Sequence, residues 1–204
     1  YYLGVSGGAI SQNIFTNLYR DIDVSQSVNL SIENNEMELL QLTSSQPNDY
    51  QIRLTDCSYI WVTGNHLVNS VEVTDFTTVL GGSIYTEHDF AVNIKDNTID
   101  GSRGYAITCI SNYGSSYTGN IINGVNQAGI VMSDLQQCEV NCNEIHIQRN
   151  ANFPFDGTGI YYVSSLLQSM NNTIQSNCIF DAVYPIALSP GGPNFPGPVL
   201  TNNY

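Results

Sequence analysis

The hexapeptide Ile94–Ile99, IKDNTI, places an asparagine three residues after an apolar residue and a second apolar residue two positions later. This apolar-x-x-Asn-x-apolar pattern occurs seven times in the 204-residue chain, and successive copies begin 22 to 34 residues apart. The copies are ISQNIF (10–15), IENNEM (32–37), VTGNHL (62–67), IKDNTI (94–99), YTGNII (117–122), VNCNEI (140–145) and IQSNCI (174–179).

A second series of short apolar segments precedes the motif copies at a nearly constant distance. In five of six pairs the first isoleucine lies ten residues before the next motif copy, and in the sixth pair, 160 to 174, it lies fourteen residues before. The definition of the motif does not contain this offset, which therefore supports a true structural repeat. The segments are IDV (22–24), IRL (52–54), IYT (84–86), ITC (107–109), IVM (130–132), IYY (160–162) and IAL (186–188).

Each repeat unit has a base length near 22 residues and alternates apolar with polar positions, as strands do. A single unit cannot bury its apolar face, whereas units stacked about 4.8 Å apart bury a continuous column and pair their backbone groups. No segment shows the caps and periodicity of a long amphipathic helix. The sequence therefore predicts an all-β fold, a single-stranded parallel β-helix of about seven coils.

The asparagines of the motif are predicted to form a ladder at one corner of successive coils. Asparagine tolerates the left-handed backbone conformation that a sharp corner requires, and its amide is able to bond the amide of an adjacent coil. We interpret the ladder as structural rather than as a functional site. Its members are Asn13, Asn35, Asn65, Asn97, Asn120, Asn143 and Asn177.

Two longer stretches, VNIKDNTIDGSRGYAI (92–107) and QSNCIFDAVYPIAL (175–188), resemble coils of the right-handed parallel β-helix superfamily of pectate-lyase-like proteins. The resemblance extends over nearly the whole chain and implies the right-handed form of the fold. That superfamily includes polysaccharide lyases, hydrolases, epimerases, phage tailspikes and non-catalytic adhesins, so the resemblance implies no single activity.

The chain is strongly acidic, with 18 Asp and Glu residues against five Lys and Arg and a net charge of −13. This charge disfavours nucleic acids, anionic lipids and polyanionic glycans as partners, and no apolar run is long enough to span a membrane. Abundant Asn, Ser, Thr and Gly with only 11% charged residues favour a secreted or surface-exposed β protein. The cysteines lack metal-ligand spacing and are predicted to be packed free thiols rather than disulfides; they are Cys57, Cys109, Cys138, Cys142 and Cys178.

From the repeat register we expect residues 1–204 to be one β-helix segment of a longer protein, with both ends inside a coil. LTNNY (200–204) matches the start of an eighth copy, which follows a Pro/Gly-rich loop at 189–199. Open ends of a β-helix expose unpaired strand edges. The remainder of the same polypeptide is therefore an expected partner.

Length variation between repeat units is confined to one side of the stack, where the long loops 38–51, 68–83 and 146–159 are inserted. Aromatic rings with amides and carboxylates suit a neutral polysaccharide, and loops on a rigid scaffold commonly form binding surfaces. The alternative is that the rings cover the flank of the stack. The predicted carbohydrate-binding residues are Trp61, Tyr50, Phe76, Phe153, Arg53, Tyr85 and Tyr161, and the loops also carry Phe155, Asp49, Asp75, Asp156 and Arg149.

The enzymes of the superfamily imply a Lys or Arg base beside several carboxylates, or two to three Asp within about 5–10 Å. Here Lys95, the only lysine, shares its predicted column with one acid, and Arg53 is predicted to pair with Asp23 in the adjacent coil. Glu36 and His66 are predicted to be neighbours, which we interpret as a surface hydrogen bond rather than an acid–base pair. No catalytic residue, metal or cofactor is predicted.

The leading hypothesis is a non-catalytic stalk or adhesin segment of a secreted or cell-surface protein that contacts neutral glycans. The main alternative is a polysaccharide lyase or glycoside hydrolase of the pectate-lyase-like fold. A phage tailspike is the second alternative, for which trimers are expected.

Overall fold

The computed structural model describes residues 2–16, 21–39, 50–69, 82–102, 104–148, 157–164, 170–190 and 197–204. These residues form 23 strands in three parallel sheets of eight, eight and seven strands, and they contain no α-helix. We call the three sheets A, B and C. Successive strands of the chain belong to A, B and C in turn, so strands that are hydrogen-bonded to each other within a sheet are one coil apart in sequence. The predicted all-β parallel β-helix of about seven coils is confirmed. The described residues include no helix long and apolar enough to cross a membrane.

The strands are numbered in chain order. Sheet A consists of β1 Tyr2–Leu3, β4 Ile22–Ser25, β7 Ile52–Thr55, β10 Ile84–Glu87, β13 Tyr105–Ile110, β16 Ala128–Ser133, β19 Thr158–Ser164 and β22 Tyr184–Pro190. Sheet B consists of β2 Ser6–Ser11, β5 Val28–Glu33, β8 Ser58–Thr63, β11 Asn93–Lys95, β14 Ser116–Thr118, β17 Glu139–Asn141, β20 Thr173–Gln175 and β23 Val199–Thr201. Sheet C consists of β3 Ile14–Thr16, β6 Glu36–Leu39, β9 His66–Asn69, β12 Thr98–Ser102, β15 Ile121–Val125, β18 Glu144–Ile147 and β21 Cys178–Phe180.

The core consists of apolar side chains that recur at the same strand position in each coil. In sheet A, Ile84 pairs with Ile52 on one side and with Ile107 on the other, and all three are fully buried. Burying one such side chain contributes about 1.5–3 kcal/mol, so the stacked columns supply most of the stabilisation. The equivalent inward residues of sheet C are Met37, Leu67, Ile99, Ile122, Ile145 and Ile179.

The spacing predicts that certain outward-facing residues of sheet A are neighbours in adjacent coils, and the strand pairing shows them in that order. Arg53 pairs with Asp23 and with Tyr85, as the sequence predicts. The column through Lys95 in sheet B is also confirmed, because Lys95 pairs with Thr63 and Thr118. The full sheet A column is Asp23, Arg53, Tyr85, Thr108, Val131, Tyr161 and Ala187.

The asparagine ladder is continuous through the interior corner between sheets B and C. The Nδ2 of Asn97 donates to the Oδ1 of Asn120 at 3.0 Å and to the carbonyl of Val62 at 2.9 Å. The Oδ1 of Asn97 accepts the backbone N–H and the Nδ2 of Asn65, both at 3.0 Å. Asn203 extends the same pattern, since its Oδ1 accepts from Asn177 at 2.9 Å. The ladder therefore uses both donors and both acceptor positions of its interior amides.

The predicted reason for asparagine at this corner is wrong in one respect. The left-handed residue is the one before each ladder asparagine, with φ between 49° and 68°, and the asparagine itself is not left-handed. The chain turns at that preceding residue, which directs the next side chain inward. Asparagine is therefore required for its side-chain hydrogen bonds and not for its backbone tolerance. The left-handed residues are Gln12, Asn34, Gly64, Asp96, Gly119, Cys142, Ser176 and Asn202.

All five cysteines are free, and Cys57, Cys109 and Cys138 are buried in the interior. The prediction of packed thiols is wrong for Cys142, which is exposed, while Cys178 is half-buried. Cys142 occupies the left-handed corner position, from which the side chain points to solvent.

The last described coil contains β22 in sheet A and β23 in sheet B, where Leu200 pairs with Ile174. Of the region 189–199 predicted as a loop, Ser189 and Pro190 belong to β22, where they pair with Val163 and Ser164, and Val199 belongs to β23. Residues 191–196 lie outside the described part of the chain.

Candidate functional site

Three aromatic rings form a row on the outer surface, at the corner between the strands of sheet A and those of sheet B. The centroids of Tyr59 and Phe90 are 5.4 Å apart with the rings at 75°, and those of Phe90 and Tyr113 are 5.5 Å apart with the rings at 7°. The residues are 46%, 40% and 37% exposed, respectively. Tyr59, Phe90 and Tyr113 are called the aromatic column below. Contiguous exposed apolar surface of this kind is typical of binding sites.

Backbone hydrogen bonds between coils fix the position of the aromatic column. The N–H of Phe90 donates to the carbonyl of Cys57 at 2.9 Å, and the N–H of Tyr113 donates to the carbonyl of Asp89 at 2.9 Å. An isolated β-bridge links Phe90 to Tyr113, which explains their nearly parallel rings. Tyr59 lies one residue beyond the position that pairs with Phe90 and has φ 54°, so its ring meets Phe90 by an edge.

A buried carboxylate anchors the corner beneath Phe90. Asp89 is 2% exposed; its Oδ1 accepts the N–H of Cys57 at 2.7 Å and its Oδ2 accepts the N–H of Glu87 at 3.1 Å. The N–H of Asp89 donates to the Oδ1 of Asn112 at 2.9 Å. Burial raises the pKa of Asp89 from 3.8 to about 7, although the two N–H donors act in the opposite direction. These bonds join three consecutive coils and make the corner that carries Phe90 rigid.

Trp61 lies on the outer face of sheet B, two residues after Tyr59. The residue between them, Ile60, is fully buried, so Tyr59 and Trp61 both point outward. Trp61 is 41% exposed, as the sequence predicts for an outward position on β8.

In the next coils the position of Trp61 is taken by Asn93, then Ser116, then Glu139. We call Asn93, Ser116 and Glu139 the polar row. The Oε1 of Glu139 accepts a hydrogen bond from the hydroxyl of Ser116 at 2.8 Å, and its Oε2 accepts one from the Nδ2 of Asn141 at 2.9 Å. The row therefore offers amide, hydroxyl and carboxylate groups next to the aromatic column.

The binding residues predicted on or beside sheet A differ in exposure: Tyr50 is buried, and Arg53 and Tyr85 are half-buried. Tyr50 is 8% exposed and its ring lies 4.7 Å from that of Tyr85. The binding role of these residues stays a prediction. The Arg53 guanidinium carbon lies 5.9 Å from the centre of the Tyr85 ring. Burial, followed by the neighbouring Glu87, raises the pKa of Tyr85. Tyr161 is half-buried.

Two of the predicted binding residues, Phe76 and Phe153, lie outside the described residues. Their binding role stays a prediction. The same holds for the other loop residues named from the sequence, which are Phe155, Asp49, Asp75, Asp156 and Arg149.

His66, on β9 of sheet C, forms its hydrogen bond with a different carboxylate from the one predicted. His66 pairs with Glu36 in strand register, but its Nε2 lies 2.8 Å from the Oδ2 of Asp100. Asp100 also accepts from the Nδ2 of Asn123 at 2.8 Å, which fixes it as the partner. Both groups of the His66–Asp100 pair are about 40% exposed or more. The pair is a surface hydrogen bond, the type of contact that the sequence predicts.

Tyr59, Phe90 and Tyr113 are not among the residues predicted from the sequence, although a signal was present for Phe90 and Tyr113. Each lies four residues before a motif copy, at Ile94 and Tyr117 respectively. Tyr59 lies three residues before the copy at Val62, and this difference of one residue conceals the column in the sequence. Among the described residues, no group of three or more His, Cys, Asp or Glu is placed to hold a metal ion.

The sequence profile of the family described as "Right handed beta helix region" matches residues 1–179. No curated protein sequence matches the chain. Among solved structures, the fold is similar to a double mutant of the tailspike protein of E. coli bacteriophage HK620, with a TM-score of 0.53, 15% identity and coverage of 98% of this chain and 43% of that chain.

The fold is also similar to a cysteine-to-alanine mutant of DFA-IIIase from Arthrobacter chlorophenolicus A6 in complex with DFA-III. The TM-score is 0.51 with 13% identity, over 92% of this chain and 50% of that chain. At these identities the likeness concerns the fold alone. The chain spans half or less of the length of each of these two proteins.

Proposed function

This chain belongs to the family of right-handed β-helix regions, and we propose that it serves as a rigid, non-catalytic segment of an extracellular protein that binds neutral glycans. The family match over residues 1–179 confirms the resemblance to right-handed parallel β-helix proteins. The proposed binding surface is the aromatic column with Trp61 beside it.

One observation carries this proposal: three exposed aromatic rings lie on consecutive coils, with 5.4 and 5.5 Å between the centroids of neighbouring rings. Aromatic side chains bury a large apolar area with little loss of conformational freedom, and the C–H face of a sugar ring is a suitable partner for them. Because the rings follow the axis of the β-helix, the glycan chain is proposed to run parallel to that axis, from Tyr59 towards Tyr113.

Charge supports a neutral ligand. The chain carries a net charge of −13, and near the column the exposed acid Asp56 lies 3.8 Å from His88, while Glu139 is exposed on the polar row. Negative charge on both sides of the column disfavours anionic polysaccharides.

The residues next to Lys95 and Arg53, the Lys and Arg residues that the structure describes, support the non-catalytic part of the proposal. Lys95 lies 3.5 Å from a single carboxylate, that of Asp96. Arg53 has Asp23 and Tyr85 as its strand neighbours. Glycoside hydrolysis requires a pair of carboxylates at a defined separation and open to the substrate. The acids Asp56 and Glu87 lie near Asp89, but Asp89 is 2% exposed and both its oxygens accept backbone N–H groups.

The experiment is a binding screen of neutral oligosaccharides, followed by calorimetric titration of the tightest ligand. Phe90→Ala and Tyr113→Ala are each expected to weaken binding about three- to tenfold, which corresponds to the loss of one aromatic contact. Tyr184→Ala is the matched control, because Tyr184 is 52% exposed but lies on β22, away from the column. Unchanged binding by both column variants would refute the proposal.

The enzymatic alternative is tested with the same ligands. The wild-type protein is incubated with the bound glycan, and new reducing ends and unsaturated products are measured. No release of either is expected. Turnover by the purified protein would replace the non-catalytic proposal with the lyase or hydrolase alternative.

A further inference from the structure

We propose that Glu139 determines the class of glycan bound, by selecting neutral sugars with free hydroxyl pairs against sugars that carry a carboxylate. This inference rests on the proposed glycan-binding function of the aromatic column. It assigns the choice between neutral and uronic-acid glycans to one side chain rather than to the net charge of the whole molecule.

Position connects Glu139 to the aromatic column. Tyr113 pairs with Gln136 of the next coil, and Glu139 lies three residues after Gln136, just as Ser116 lies three residues after Tyr113. Glu139 therefore flanks the column one coil beyond Tyr113, on the side of sheet B. A glycan that runs from Tyr59 past Tyr113 reaches Gln136 next, with the carboxylate of Glu139 on its sheet B side.

The carboxylate is held in a fixed orientation, although Glu139 is exposed. Each oxygen accepts one hydrogen bond, from Ser116 at 2.8 Å and from Asn141 at 2.9 Å. Asn141 is itself 8% exposed, and Ser116 also lies 2.9 Å from the hydroxyl of Thr118. A glutamate on an open surface is otherwise free to rotate, so this bracing preorganises the group for a ligand.

The chemistry of a braced carboxylate explains the selection. A carboxylate has about four acceptor positions, of which Ser116 and Asn141 occupy two in Glu139. The remaining positions accept hydrogen bonds from two neighbouring sugar hydroxyls, and hydrogen bonds to a charged acceptor are the stronger ones. A uronate group at the same place brings a second negative charge close to the first, which lowers affinity about tenfold for exposed charges about 3 Å apart in the dielectric of water.

The test compares a gluco-oligosaccharide of six sugars with its C6-oxidised glucuronate form, by calorimetric titration. The wild-type protein is expected to bind the neutral form about tenfold more tightly. In Glu139→Gln this ratio is expected to fall to about one to two, because the charge is removed while a hydrogen-bonding group of the same size is kept. Glu36→Gln is the control, since it removes one negative charge from the exposed face of sheet C.

The outcomes separate this inference from the function on which it rests. If Phe90→Ala weakens binding of the neutral oligosaccharide while Glu139→Gln leaves the neutral-to-uronate ratio unchanged, the role of Glu139 is overturned and glycan binding stands. If Phe90→Ala and Tyr113→Ala bind like the wild type, both proposals fail. An equal change of the ratio in Glu36→Gln would assign selection to net charge and overturn the role of Glu139.

Discussion

The side-chain oxygen of Asn120 accepts two hydrogen bonds from Asn97, one from the backbone N–H at 3.1 Å and one from Nδ2 at 3.0 Å. The Nδ2 of Asn120 donates in turn to the carbonyl of Ile94 at 3.0 Å and to the Oδ1 of Asn143 at 3.0 Å. One buried amide thus satisfies polar groups of the two adjacent coils. Buried polar groups without a partner are costly, so the ladder is what permits a tight corner inside the core.

Asn120→Ala is expected to destabilise the protein by about 3 kcal/mol. The change removes the hydrogen-bond partner of three groups: the backbone N–H of Asn97, one Nδ2 hydrogen of Asn97 and the carbonyl of Ile94. Each buried polar group left without a partner costs about 1 kcal/mol or more. The free energy of unfolding is measured by urea denaturation.

Asn123→Ala is the control for this prediction. Asn123 is an outward, half-buried residue of β15 whose Nδ2 donates to Asp100, and its loss is expected to cost less than about 1 kcal/mol. Equal destabilisation by the two variants would show that the ladder adds nothing beyond an ordinary surface hydrogen bond.

The ladder and the strand columns could be predicted because both follow from a constant offset along the chain. The ten-residue spacing from Ile84 to Ile94 and from Ile107 to Tyr117 fixes two sheets at once, and every outward residue then follows by alternation. Strand pairing in stacked coils requires such a constant register. This is why the prediction that Arg53 lies beside Asp23 and Tyr85 is confirmed.

The candidate site could not be predicted in the same way, because it lies at a corner where the register shifts. Tyr59 precedes its motif copy by three residues and Phe90 by four, yet their rings meet at 5.4 Å. Similarly, the hydrogen bond of His66 with Asp100 runs diagonally between coils and not along a column. Contacts of this type depend on corner geometry that a one-dimensional spacing does not contain.

The stability of the fold is expected to decrease as the pH rises from about 4 to 7, in part because of Asp89. Burial raises the pKa of Asp89 to about 7 in the folded chain, against 3.8 when unfolded, so the folded state binds the proton more tightly in this range. The contribution is fully present below pH 4 and is lost as the pH passes 7. Burial raises the pKa of Asp21 to about 7 as well, which acts in the same direction.

Asp89→Asn isolates this effect. Asn112 occupies the same corner one coil further on, which shows that an amide fits there. The variant is expected to be about 1 kcal/mol less stable than the wild type near pH 4, because one N–H bond is lost. At pH 8 it is expected to be more stable by on the order of 3 kcal/mol, since the shift in the pKa of Asp89 is worth about 1.4 kcal/mol per pH unit and the lost bond offsets part of it. Urea denaturation at several pH values gives both curves; curves that stay parallel from pH 4 to 8 would contradict the prediction.

Cys142→Gly is expected to stabilise the protein by about 0.5–1 kcal/mol. Cys142 has φ 54°, where a side chain is strained, and glycine already occupies the same corner position at Gly64 and Gly119. Cys142→Val places a β-branched residue in this conformation and is expected to destabilise. Thermal unfolding of the three proteins checks the order Gly, Cys, Val; a Val variant as stable as the wild type would show that the corner relaxes without cost.

Trp61 is the only tryptophan of the chain and therefore reports on the proposed site. It is 41% exposed and points outward beside Tyr59, so acrylamide is expected to quench its fluorescence efficiently in the free protein. A saturating neutral oligosaccharide on the aromatic column is expected to reduce the quenching constant about twofold or more, because the ligand covers part of the indole. The same oligosaccharide added to Phe90→Ala, at the concentration that saturates the wild type, is expected to protect Trp61 less. If the ligand binds by calorimetry while the quenching constant stays unchanged in both proteins, the glycan occupies another surface and the aromatic column is not its site.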